Sequence, residues 1–94
     1  MATEVIQDAS MNRFELLVDG QSAGELDYQI RDNTIVITHT EIDPSHQGAG
    51  LGGELVRGAL NLIRAETDYR VVPTCPFAGP WIQRHPEYQD LLSR

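Results

Sequence analysis

Three groups of residues in this 94-residue chain could do chemistry beyond packing: a glycine turn, a histidine beside a glutamate, and one cysteine. The turn reads Gln47-Gly48-Ala49-Gly50-Leu51-Gly52-Gly53 and lies between a β-branched run and a long amphipathic run. Strand, turn, helix is the expected local order. Glycines there leave backbone N–H groups uncovered at a helix start, where the helix dipole adds to them and favours an anion such as a phosphate. His39 and Glu41 are two apart on an expected strand and so share a face, where the carboxylate would raise the imidazole pKa and fit it to take a proton. The same histidine reads equally well as a structural one, hydrogen-bonded within the sheet. Cys75 precedes Pro76 at an expected helix start, a position that lowers a thiol pKa and suits a nucleophile, against the plainer alternative of an inert buried thiol. Tyr28 and Tyr88 are candidate proton donors, and each is more simply an anchor for its element. His39, His46 and His85 give no pair with ligand spacing on one element, and no second cysteine exists, so no metal is expected.

The elements that must position these groups follow from periodicity. Glu4 to Gln7 reads as a short first strand and Asp8 to Asn12 as a polar turn. Phe14, Leu16 and Val18 alternate onto one face, and Asp19-Gly20 is the dipeptide of a tight hairpin. In the return strand Leu26, Tyr28 and Ile30 oppose Glu25, Asp27 and Gln29, the pattern of an antiparallel strand with one wet side. Thr34 to Ile42 is β-branched with apolar groups on both faces, which predicts the central, most buried strand of a meander, ended by Pro44. From Leu51 the period becomes 3.6: Leu51, Leu55, Ala59, Leu62 and Ile63 share a face opposite Glu54, Arg57, Asn61 and Arg64. The interior Gly58 implies close packing on the sheet. Tyr69 to Val72 reads as a strand parallel to the Thr34 strand after a right-handed crossover. Thr74-Cys75-Pro76 is expected to open a second helix with Phe77, Trp81 and Ile82 inward, broken at His85-Pro86 before a last turn holding Tyr88, Leu91 and Leu92.

Length and charge bound what such a chain can do. Ninety-four residues make one domain, with residues 1–94 sharing a single sheet and any second substrate bound at its surface. A formal charge of −7 argues against general nucleic-acid binding and favours a cationic substrate such as an amine, unless it serves solubility alone. One cysteine permits no internal disulfide, no run approaches the ~20 apolar residues of a membrane span, and the first dozen residues lack the apolar stretch of a signal peptide. A cytosolic location is expected.

Three phosphate-binding patterns compete for the glycine turn. A Walker loop needs Lys then Ser or Thr after its last glycine, and Glu54 stands there instead. Gly48, Gly50 and Gly53 do satisfy G-x-G-x-x-G, but that dinucleotide fingerprint follows a first strand and needs an acidic residue ending the next one, where this chain has Val72-Pro73-Thr74. The third pattern, Q/R-x-x-G-x-G/A, is met by Gln47 to Gly52 and resembles the pyrophosphate-binding signature of the GCN5-related N-acetyltransferases. Arg13-Phe14-Glu15-Leu16, Thr38-His39-Thr40-Glu41-Ile42, Val72-Pro73-Thr74-Cys75-Pro76-Phe77 and His85-Pro86-Glu87-Tyr88, in that order around the turn, resemble the small single-domain members of that superfamily. One departure is His46, where many members carry arginine.

The resemblance implies an α/β fold in which an antiparallel meander gains a parallel strand after a crossover helix, truncated by loss of the helices that cover the acceptor site in larger members. It implies acetyl-coenzyme A as co-substrate. The pyrophosphate would lie on amides around Gln47, Gly48, Ala49, Gly50, Leu51, Gly52 and Gly53, and the pantetheine arm would run along Glu41 and Ile42 as an added strand. The thioester would sit in a gap between splayed strands lined by His39 and Cys75, which match the family's proposed active-site residues. The acceptor would be a small-molecule or peptide amine, acetylated directly or through Cys75. The rival class is a non-catalytic binder of coenzyme A or its acyl derivatives.

Overall fold

The computed structural model describes residues 2–94, and Met1 lies outside them. Four antiparallel strands come first: β1 (Thr3–Asp8), β2 (Arg13–Val18), β3 (Gln21–Arg31) and β4 (Thr34–Ile42). Helix α1 (Leu51–Glu66) then crosses to β5 (Arg70–Pro73), which pairs parallel with β4, and α2 (Ala78–Gln83) and a 3₁₀ run (Pro86–Ser93) complete the chain. The sheet order is β1-β2-β3-β4-β5, a meander with a parallel strand added at its end. The β2–β3 turn is made by Asp19 and Gly20 at φ 50° and 84°, the left-handed pair a two-residue hairpin needs.

One face of the sheet carries the core. Phe14, Leu16, Leu26, Ile35 and Ile37 point from it into Leu55, Val56, Leu60 and Ile63 of α1, all of them buried. Each such side chain contributes about 2 kcal/mol of burial, so the amphipathic stripe rather than intrinsic propensity holds α1 in place. Gly58 sits where α1 presses on β1, and a Cβ there would overlap the Val5 side chain. At the other end of α1 the Arg94 guanidinium reaches back to the carbonyls of Thr67 (2.8 Å) and Arg64 (3.2 Å), partnering oxygens the helix end leaves free.

Several expectations are revised. The central strand is β3, because β5 adds only four residues on the far side of β4 and just Thr34 to Ile37 pair with it. The second half of β4 is correspondingly open, with Thr38, His39 and Glu41 exposed. Strand β5 starts one residue late, at Arg70, and α2 starts at Ala78 rather than at Pro76. Phe77 therefore precedes the helix and stands 40% exposed instead of packing inward with Trp81 and Ile82.

Two β-bulges set which residues face the helix. Leu16 pairs with Gly24 and Leu17 with Ser22, leaving Ala23 as an extra residue in β3. Asp27 pairs with His39 and Tyr28 with Ile37, leaving Thr38 extra in β4. An extra residue reverses the in–out alternation beyond it. Ile35 and Ile37 face α1 before the bulge; beyond it Thr40 and Ile42 do, opposite Leu26 and Gly24, while His39 and Glu41 turn to the outer face.

Candidate active site

The glycine turn is built as a launch for α1. Asp43 accepts from the Ser45 amide (2.9 Å) and hydroxyl (2.8 Å), which fixes a short 3₁₀ turn over Pro44–His46 and holds the Asp43 carboxyl below its ordinary pKa. Gln47 folds its side-chain amide back onto the Ile42 carbonyl at 3.2 Å. Gly48 and Gly50 then adopt φ of 90° and 73°, the left-handed region that side chains other than hydrogen resist. Gly50 is the N-cap of α1 and no side chain caps the helix, so the amides of its first turn have neither an intrahelical nor a capping partner. Gly52 lets the Phe77 ring close in, since a Cβ there would come within 2.9 Å of it.

These amides open onto a groove of about 350 Å³. Thr40 and Ile42 of β4 form one wall, the turn from His46 to Gly53 the other, and Phe77 closes the end. Beyond Ile37 and Pro73 the strands β4 and β5 part: the amides of Thr74 and Cys75 both turn onto the Ile37 carbonyl, at 3.0 and 3.1 Å, and the chain leaves the sheet. From Thr38 to Ile42 the edge of β4 away from β3 thus has no strand beside it, and an extended ligand could add to it as a strand would. Of the residues expected to hold the cofactor, Gln47, Gly48, Gly50, Leu51, Gly52, Gly53 and Ile42 line the groove. Ala49 is exposed on the turn without lining it, and the Glu41 side chain lies on the opposite face.

His39 and Cys75 do not line the gap from the same side. The Thr38 bulge turns the His39 ring to the outer face, where its Nε2 lies 3.1 Å from Glu41 Oε1. The expected His39–Glu41 pairing is present. The partner of Cys75 is instead Thr40, with Sγ and Oγ1 3.3 Å apart, and the Phe77 amide donates to the same sulfur at 3.4 Å. Burial pushes the Cys75 thiol up, yet the Thr40 hydroxyl and the amides of Ala78, Phe77 and Thr40 outweigh it, leaving the thiol below its ordinary pKa. The direction expected from a helix start is met, although the donors are a neighbouring hydroxyl and local amides.

Thr40, His46 and Phe77 complete the groove; His46 is the departure from arginine noted above, while Thr40 and Phe77 are not among the site residues expected from sequence. For Phe77 a signal was present: a glycine in the first turn of a helix marks a place where another group approaches. For Thr40 there was none, because no residue type announces a bulge. Tyr28 and Tyr88 are anchors, the first accepting from Gln7 (2.9 Å) and the second donating to Asn61 (2.8 Å). His85 stacks on Trp81 with ring centroids 3.7 Å apart. Among the described residues no three His, Cys, Asp or Glu side chains form a metal-ligating group.

A meander, a crossover helix with an uncapped glycine start, and a parallel strand that parts from its neighbour define an α/β protein of the acetyltransferase fold. The profile of the GCN5-related N-acetyl-transferase family matches residues 13–91, and the chain belongs to that family. Among solved structures it is similar to a ribosomal-protein-alanine N-acetyltransferase from Brucella melitensis biovar Abortus 2308, with a TM-score of 0.55 and 14% identity. That match covers 80% of this chain, and the chain spans 59% of that one. No curated protein sequence matches.

Proposed function

We propose that this chain binds acetyl-coenzyme A in the groove between β4 and α1 and transfers its acetyl group to an amine. One observation carries this: the free edge of β4, left bare where β5 parts from it, and the uncapped start of α1 line a single groove closed by Phe77. The amides from Gly48 to Gly53 suit a diphosphate, and Thr38 to Ile42 offer backbone groups to the pantetheine amides. The thioester would then lie beyond Ile37, with Thr40 and Cys75 on the helix side and His39 on the outer side.

His39 is suited to take the proton of an amine arriving across the outer face. With Nε2 donating to Glu41, Nδ1 is the nitrogen left to accept it. Two routes share this arrangement. In the direct one the amine attacks the thioester, coenzyme A leaves as thiolate and His39 holds the amine proton. In the covalent one the Cys75 thiolate attacks the thioester and coenzyme A leaves as thiolate; the amine then attacks acetyl-Cys75, the Cys75 thiolate leaves and His39 takes the amine proton. His39 is on the wrong face to serve as base for Cys75.

The outer face carries Glu15, Glu25, Asp27 and Glu41 with Arg13, which suits a cationic acceptor, a small molecule or a peptide. The alanine of a ribosomal protein belongs to the neighbour's name, and likeness at 14% identity concerns the fold. Residues 1–94 would act as one domain, in the cytosol, where a lone thiol stays reduced.

The test is to incubate the chain with acetyl-coenzyme A and a panel of amines and follow free thiol. Release above background only with an acceptor supports transfer. A melting temperature that coenzyme A raises, with no turnover on any amine, would make the chain an acyl-coenzyme A binder, an outcome favoured by the burial of Cys75 at 4% exposure. No shift at all removes both.

A further inference from the structure

We propose that Thr40 is the positioning residue of the Cys75 thiol, its hydroxyl oxygen accepting from the thiol S–H and its O–H turning to donate once the sulfur is ionised, which holds the sulfur at the groove end of the gap between β4 and β5. This role takes its purpose from the acetyl-transfer reading, but its geometry belongs to the chain without ligand. The Thr38 bulge turns Thr40 to the helix side, where its Oγ1 comes within 3.3 Å of the sulfur and its side chain also lines the groove. The sulfur is reached by the Phe77 amide at 3.4 Å from the other direction. Its backbone is pinned as well, since the Thr74 and Cys75 amides and the Thr74 hydroxyl all converge on the Ile37 carbonyl.

A thiolate in a buried setting needs donors aimed at it. Here the surroundings supply hydroxyl and amide donors from β4 and from the turn before α2, and no charged side chain contributes. His39 and Glu41, the nearest titratable pair along β4, face away from it. Among the described residues, Thr40 is therefore the one side chain that can both orient the sulfur and favour its ionised form.

The experiment is the pH dependence of Cys75 alkylation by iodoacetamide in the full chain, read by intact mass. Thr40→Val keeps the shape and removes the hydroxyl. Its reactivity midpoint is expected to move up by about one pH unit, slowing alkylation near pH 7 about tenfold, while Thr40→Ser restores the native profile. A midpoint unmoved in Thr40→Val overturns the proposal, and so does a changed high-pH plateau without a shifted midpoint, which reports altered access alone. Should Thr40→Val lose its native circular dichroism, Thr40→Ala carries the same comparison. The acetyl-transfer reading fails separately, if coenzyme A leaves the melting temperature of the native chain unchanged, and the thiol profile still decides the role of Thr40.

Discussion

Cys75 and His39 stand on opposite faces of the sheet, and this separates their effects. Cys75→Ser is expected to cost transfer about 10²-fold, the scale of losing a nucleophile or a positioned acid, as measured by acetyl-coenzyme A turnover; full retention ends the covalent route. His39→Gln is expected to cost about 10²-fold in transfer as well, through loss of the acceptor's base. It should leave Cys75 alkylation as it was, because the ring touches Glu41 and not the sulfur. A His39→Gln chain with a shifted thiol profile would contradict the two-sided arrangement.

At the scale of the element, α1 is fitted to β1 through the missing side chain at Gly58. Alanine there would gain about 1 kcal/mol of helix propensity and lose about 2 kcal/mol to overlap with Val5. Gly58→Ala is expected to lower stability by about 1 kcal/mol in urea unfolding. In a Val5→Ala background the same change should be neutral or stabilising. A destabilisation equal in both backgrounds would show that the β1 contact is not the cause.

The same scale explains what could be read in advance. The strands, the Asp19-Gly20 hairpin, the α1 stripe and its close approach at Gly58 follow local rules of period and turn chemistry, and all are present. The groove along Gln47 to Gly53 was legible for the same reason, since strand, glycines and helix lie consecutively in sequence. What escaped was non-local. The bulges at Ala23 and Thr38 depend on how neighbouring strands register, and the one at Thr38 turns His39 away from the side of Cys75 on which the resemblance had set it. The late start of α2 depends likewise on the Thr74 and Cys75 amides turning to Ile37, and it left Phe77 at the mouth of the groove.

Over the whole molecule, the acidic side chains make stability depend on pH in a known direction. Asp90 is held below its ordinary pKa by its hydrogen bonds from Arg64, at 2.8 and 2.9 Å, and Asp43 by the amide and hydroxyl of Ser45. Carboxyls that ionise more readily in the folded than in the unfolded chain add stability that is full above the usual carboxylate range and lost as pH falls through it. Urea midpoints are therefore expected to fall between pH 6 and pH 3, about the range where such groups titrate. Asp90→Asn should flatten that fall, and an equal slope in both chains would exclude the Arg64 pair as a contributor. Finally, helices cover one side of the sheet only, and beyond Ile37 the strands β4 and β5 no longer pair. On the proposed direct route a donor along β4 and an acceptor on the outer face would be present together, so initial rates should give intersecting double-reciprocal lines, whereas transfer through acetyl-Cys75 would give parallel ones.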